Sequence, residues 1–244
     1  LIFSKISILA HPLNKLMIAM GKPVIPFGGI PVILSFLFVL WFFYFAGWIN
    51  QENLLLFQKF TLGVILMTVL GIYDDIYHCA PRIKFLCQII IAIILFLAGF
   101  QIDRIGDVID LGSFSILFTV FWIVGITNSI NLVDGIDGLA SGLILLSCVT
   151  LSFIYLERNM VEASFLAVIL TGSIFGFLIF NFPPAKIILG DTGSLPLGLL
   201  ISLITLLPLS QKHTDEIYYL IPIITLLIPI LDTTFAFFRR LLKG

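Results

Sequence analysis

Runs of about 20 mainly apolar residues recur along this chain, and that is the length a helix needs to cross the hydrocarbon core of a bilayer. Windows of this kind fall at residues 29–49, 54–73, 84–100, 113–130, 139–156, 163–181, 195–210 and 217–238. They fill most of the 244 residues, so the connections must be short and no separate soluble domain fits. The composition agrees. Hydrophobic residues make up 60% and charged residues 11%, against about a quarter charged in a soluble domain. Mean hydropathy is +1.17. Soluble globular, disordered and coiled-coil classes are excluded, and the expected fold class is an all-α polytopic membrane protein with about eight spanning helices. Thirteen Lys+Arg balance fourteen Asp+Glu without a basic stripe, which argues against nucleic-acid binding. Three cysteines without a C-x-x-C, Cys79, Cys87 and Cys148, predict neither a disulfide framework nor a zinc site. Residues 1–13 are apolar but too short to span, the chain starts at Leu1, and it stops six residues after the last window. The expectation is a single transmembrane domain over 1–244, incomplete at both ends.

Lys and Arg set the orientation. If sides alternate from residue 29, one side holds Lys15, Lys22, Arg82, Lys84, Lys186, Arg239, Arg240 and Lys243, and the other holds Arg104, Arg158 and Lys212. The positive-inside rule makes the first side cytoplasmic. Six acidic residues fall on or beside that same face: Asp74, Asp75, Asp134, Asp137, Asp191 and Asp232. The acids of the opposite side are scattered in loops and read as solvated charge. Ionisable groups at membrane depth are costly and usually functional. A carboxylate cluster fed by several loops suits Mg²⁺, which takes oxygen ligands and keeps waters and substrate phosphates.

Each segment has an ordinary reading beside the functional one. Asp74-Asp75 ends one span, with Lys84 and Gln88 one turn apart downstream. Adjacent carboxylates repel unless a cation holds them, and a lysine near a metal suits a phosphate. Plain helix-flanking charge is the ordinary reading. In the segment Asn128 to Gly142, Asp134 and Asp137 are three apart, which on a helix would place them on one face. Asn128 and Asn131 repeat that spacing, and Gly135, Gly138 and Gly142 would let a ligand or helix approach. A simple N-cap would explain one Asp but not two Asp and two Asn. Asn181, Pro183, Pro184 and Lys186 precede Gly190-Asp191-Thr192-Gly193-Ser194, a turn that presents a carboxylate or merely caps the next helix. Gly28-Gly29 at the mouth of the first span reads as a structural turn more readily than as a phosphate cradle. His11, His78 and His213 lack metal-ligand spacing.

Taken together, these segments resemble the polyprenyl-phosphate N-acetylhexosamine-1-phosphate transferases (glycosyltransferase family 4). The matching stretches are Pro26 to Gly29, Asp74-Asp75 with Lys84 and Gln88, Asn128 to Gly142, and Asn181 to Ser194, in the family's order and spacing from about residue 20 onward. Family members commonly carry His six residues before the first-loop proline, where this chain has Met20. They also carry a paired-histidine loop after the position of Arg239-Arg240, which is expected beyond Gly244.

The resemblance implies transfer of an N-acetylhexosamine 1-phosphate from a UDP-sugar to undecaprenyl phosphate, with release of UMP, at the cytoplasmic face of the bacterial inner membrane. It implies Mg²⁺, with Mn²⁺ as the substitute, and a homodimer as the assembly. It assigns Asp74, Asp75 and Asp191 to the metal and Asp74, Asp75, Asp134 and Asp137 to catalysis. Lys84, Asn128, Asn131, Asn181, Gly28 and Gly29 would bind substrate. The short interval between Asp75 and Lys84 looks closer to the branch that starts O-antigen and teichoic-acid chains than to the phospho-N-acetylmuramoyl-pentapeptide transferases, which are the alternative. A membrane transporter is the non-enzyme rival, but these carboxylates sit at helix ends on one face rather than at mid-membrane. CDP-alcohol phosphotransferases need an Arg after the Ala of their D-G…A motif, and here Ser141 follows Ala140.

Overall fold

The computed structural model describes residues 27–48, 51–105, 109–210, 217–231 and 234–235. Residues 1–13, Lys15, Met20, Lys22, Pro26, Lys212, Asp232 and the basic residues from Arg239 to Lys243 therefore lie outside the described residues.

Eight α-helices are named among the described residues. They are α1 (Gly29–Phe45), α2 (Leu54–Tyr77), α3 (Pro81–Leu97), α4 (Ser115–Val133), α5 (Leu139–Glu157), α6 (Val161–Asn181), α7 (Asp191–Ser210) and α8 (Ile217–Thr225). Each falls on one of the expected windows. The stretches Leu54–Tyr77, Gly112–Val133, Leu139–Glu157, Val161–Asn181 and Asp191–Leu209 are long and apolar enough to cross a membrane. The protein is an all-α polytopic membrane protein. The one addition to that expectation is a small antiparallel pair, β1 (Arg104–Ile105) with β2 (Ile109–Asp110), joined in register Arg104↔Asp110.

Helix α7 is the axis of the bundle. It packs on α1, α2, α4 and α6, and Leu195, Leu197, Leu199, Leu200, Ile201, Leu203 and Ile204 are all fully buried. A helix that is apolar all round belongs in the centre of a large or membrane-embedded core. Glycines bring the backbones together where small residues let membrane helices approach closely. A Cβ on Gly198 would stand 2.7 Å from Thr127 Cα of α4, and one on Gly29 would stand 2.2 Å from Gly193 Cα. The outer shell carries the exposed apolar side chains, among them Phe38, Phe121, Phe153 and Phe175. In water that much bare apolar surface would aggregate; in a bilayer it faces lipid.

Two helix starts differ from the apolar windows in a way that matters for the site. Helix α3 begins at Pro81 rather than at residue 84, because proline suits the first helical position. That places Lys84 inside the first turn. Helix α7 begins at Asp191 rather than at residue 195, because its polar first turn is capped from another helix.

Candidate active site

The ends of α2, α3, α4 and α7 meet at one end of the bundle. Lys84 is the hub. Its Nζ lies 3.2 Å from Asp74 Oδ2 and 3.4 Å from Asn131 Oδ1, and it also donates to Asp191 Oδ2. The side chains of Lys84, Asp74 and Asp191 are 16%, 16% and 20% exposed, so the cluster is recessed yet reachable. On its other edge, Asn131 Nδ2 donates to Asp191 Oδ1 at 2.7 Å and to Ser194 Oγ at 2.8 Å. The ends of four helices thus share one polar knot.

Asp74 is itself held in place. Helix α2 ends with His78 in the left-handed region (φ 51°), and the turn carries Cys79 back over Asp74. The Cys79 N–H donates to Asp74 Oδ1 at 3.0 Å and its Sγ–H donates to the same oxygen at 2.8 Å. Oδ2 is left to face Lys84. Burial, and then the contact with Asp74, push the Cys79 thiol up to about 11, so it stays a neutral donor.

Asp75 points elsewhere. Its Oδ1 accepts from Asp191 N at 3.0 Å, and its Oδ2 accepts from Thr192 N at 2.9 Å and from Thr192 Oγ1. The two neighbouring aspartates therefore do not converge on one point. On a helix, consecutive side chains diverge by roughly 100°.

The motif after α4 also differs from its sequence reading. Helix α4 stops at Val133 and α5 starts at Leu139, with Gly138 at φ +72°. Asp134 and Asp137 therefore sit in a turn and do not share a helical face. Asp137 Oδ2 accepts from Ala185 N at 3.0 Å, which ties this turn to the loop before α7. Burial first, then the Asp191 and Asp75 charges, push the Asp134 carboxyl up to about 8, with the Gly190 backbone pulling the other way. Among the described residues a Cβ on Gly142 would meet nothing within 4 Å and one on Gly135 would meet Leu132 O at 3.9 Å, so close helix packing is not their role.

Asn181, Gly28 and Gly29 form the frame. The Asn181 amide accepts from Gly138 N at 3.0 Å and Ser141 Oγ at 2.7 Å, and donates to Ile187 O at 2.9 Å. Gly28 N and Gly29 N donate to Ile188 O and Leu189 O at 2.9 and 3.1 Å. Those two amides are engaged with protein carbonyls, which is the structural-turn reading and leaves neither free to cradle a phosphate. One turn below Lys84, Asn128 Nδ2 donates to Gln88 Oε1 at 2.6 Å, joining α3 to α4 beneath the cluster. The sequence reading missed Cys79, Thr192 and Ser194. The last two lay inside a motif that was read for its aspartate alone.

Among the described residues, no three His, Cys, Asp or Glu side chains converge as a closed metal cage. Mg²⁺ does not require one, since it binds through one or two carboxylates plus waters and substrate phosphates. Asp74 Oδ2 and Asp191 Oδ2 already face a common cation in Lys84 Nζ, with Asn131 Oδ1 beside them. These three oxygens fit such an open site.

A family model for glycosyl transferase family 4 matches residues 57–208, which include every residue of the cluster. The chain is 44% identical over 188 residues to the probable undecaprenyl-phosphate N-acetylglucosaminyl 1-phosphate transferase of Bacillus subtilis, covering 75% of this chain and 52% of that protein. It is 34% identical over 209 residues to a phospho-N-acetylmuramoyl-pentapeptide-transferase of Listeria monocytogenes, covering 79% of this chain and 61% of that protein. The chain thus spans between half and two-thirds of the length of these relatives. With the matched region running from α2 to the end of α7, this protein belongs to glycosyl transferase family 4.

Proposed function

We propose that the protein transfers an N-acetylhexosamine 1-phosphate from a UDP-sugar to a polyprenyl phosphate at the cytoplasmic face of the membrane. The observation that carries this reading is the Lys84 hub, with two carboxylates and an asparagine oxygen around one ammonium at the end of a membrane bundle. The Bacillus subtilis relative, 44% identical to this chain, bears a name that fits this reading.

In the reaction, an oxygen of the lipid phosphate attacks the sugar-bearing phosphorus of the UDP-sugar. The bond from that phosphorus to the bridging oxygen breaks, and UMP leaves with the bridging oxygen. Joining two anions demands positive charge and alignment more than covalent help. Lys84 supplies charge on an arm braced by Asp74 and Asp191. Asn131 fixes the rotamer of Asp191 by holding its other oxygen. Asp74 and Asp191, with Asn131, would hold Mg²⁺, which when bound offsets the charge that builds on the phosphates. The partial exposure of the hub leaves a path for the nucleotide from water, and the apolar flanks of the bundle leave one for the prenyl chain from lipid.

The donor branch is read from the short link between α2 and α3. Residues 78–80 alone separate the two helices, which leaves little surface for a large anionic peptide. The test offers membranes carrying the protein UDP-N-acetylglucosamine or UDP-muramoyl-pentapeptide, each with undecaprenyl phosphate and Mg²⁺. UMP release with the first alone is expected. Release with the pentapeptide alone would move the protein to the peptidoglycan branch, and release with neither would reject both of these donors.

A further inference from the structure

Every helix start leaves four backbone N–H groups without an intrahelical partner, and an exposed start is satisfied by water. Helix α7 starts inside the cluster, so its first turn needs acceptors from the protein. No side chain next to it in sequence provides them. They come from Asp75, 116 residues earlier, whose two oxygens take the N–H groups of Asp191 and Thr192 and the Thr192 hydroxyl. A carboxylate at a helix N-terminus is also favoured by the helix dipole.

The surrounding backbone is shaped around this contact. Gly190 sits at φ +69°, and a Cβ there would stand 2.9 Å from Asp75 Oδ2. One turn earlier on α2, a Cβ on Gly71 would stand 2.3 Å from Asp191 O. The backbone that bears Asp191 is therefore clamped from two sides by the last turns of α2. Its side chain is aimed the other way, at Lys84 and Asn131.

We propose that Asp75 is a positioning residue: it caps α7 and thereby sets the direction of the Asp191 carboxylate, while its neighbour Asp74 faces the reacting groups. The aspartate pair then divides its labour, one member holding a helix and the other facing the cation. This assignment rests on the transferase reading given above.

The test uses the intact protein in lipid nanodiscs and two readouts. The first is hydrogen exchange of the peptide covering residues 187–197, which needs no activity. Asp75→Asn and Thr192→Val should each speed exchange at the start of α7, and the double variant should match Asp75→Asn. Unchanged exchange in Asp75→Asn would overturn the proposal. The second readout is UMP release. Asp75→Asn should lower kcat roughly 10- to 100-fold, as the loss of a supporting partner of a ligand does, with KM for the UDP-sugar little changed. Thr192→Val should lower kcat several-fold and Thr192→Ser should restore it. Adding Thr192→Val to Asp75→Asn should cost nothing further, since the hydroxyl it removes is one of the groups that Asp75 holds. Multiplying effects, or a silent Thr192→Val beside an Asp75→Asn protein as inactive as Asp191→Asn, would instead make Asp75 a direct ligand. Should Asp75→Asn fail to fold, the Thr192 pair decides alone: equal kcat for the wild type and Thr192→Val overturns the proposal. Failure of the wild type to release UMP would count against the transferase reading, while the exchange data would still judge the cap.

Discussion

Asn131 Nδ2 stands 2.7 Å from Asp191 Oδ1, bridging the last turn of α4 and the first turn of α7 across 60 residues of sequence. The opposite oxygen of Asp191 meets Lys84. Asp191 is thus gripped on both oxygens by groups that distinguish a carboxylate from an amide. Asp191→Asn should keep the fold, because its backbone contacts with Asp75 and Gly71 are untouched. It should lose several kcal/mol of transition-state stabilisation, at least about a hundredfold in rate. UMP release by purified protein measures this, and near-normal turnover would remove Asp191 from the reaction.

Divalent metal should be required. Asp74 and Asp191 share the single ammonium of Lys84, which leaves negative charge in excess before any phosphate arrives. Excess chelator should abolish UMP release, and added Mg²⁺ or Mn²⁺ should restore it. Full turnover in chelator would show that Lys84 alone meets the need for positive charge.

Much of this was legible in the sequence. Apolar windows located the helices because hydrocarbon imposes one length on all of them. The motif order brought Asp74, Lys84, Asn131 and Asp191 into one reading, and the structure brings the same four side chains together. What could not be read was the consequence of helix ends. The apolar window ends at residue 73 and puts Asp74 and Asp75 together at the end of a span, whereas α2 runs on to Tyr77 and so turns them apart. For Asp134 and Asp137 the difference runs the other way, since their spacing would share a face on a helix but α4 ends at Val133. The cap on α7 was invisible because its acceptor lies on another helix, and no local pattern encodes a partner that distant.

The cluster should face the cytoplasm. Arg82, Gly135 and Lys186 lie in exposed positions at the end of the bundle that holds the hub, and Ser113 and Arg158 are exposed at connections to the opposite ends of α4 and α5. Single cysteines at these sites, with Cys79, Cys87 and Cys148 replaced, report the side. An impermeant thiol reagent applied to intact cells should label positions 113 and 158 and spare 82, 135 and 186. The reverse pattern would invert the basic-residue argument, and a mixed one would show that the helices do not alternate as counted.

The clamp on α7 makes a last, sharper distinction among glycines that look alike in sequence. Gly71→Ala puts a methyl group 2.3 Å from the Asp191 carbonyl oxygen, a backbone atom that cannot swing aside. Either α2 and α7 separate or the start of α7 shifts, and overpacking of this kind typically costs about 1–3 kcal/mol. Both responses move Asp191 relative to Lys84 and Asn131, so activity should fall further than stability does. Gly142→Ala is the control. Nothing among the described residues stands within 4 Å of its added methyl group, and Gly142 lies in the first turn of α5, where alanine is the better helix former. Thermal unfolding in detergent together with UMP release should therefore show Gly71→Ala destabilised and largely inactive and Gly142→Ala no less stable than the wild type. Unimpaired activity in Gly71→Ala would mean that the first turn of α7 can move without disturbing the reaction, and the tight packing of α2 against it would then serve folding alone.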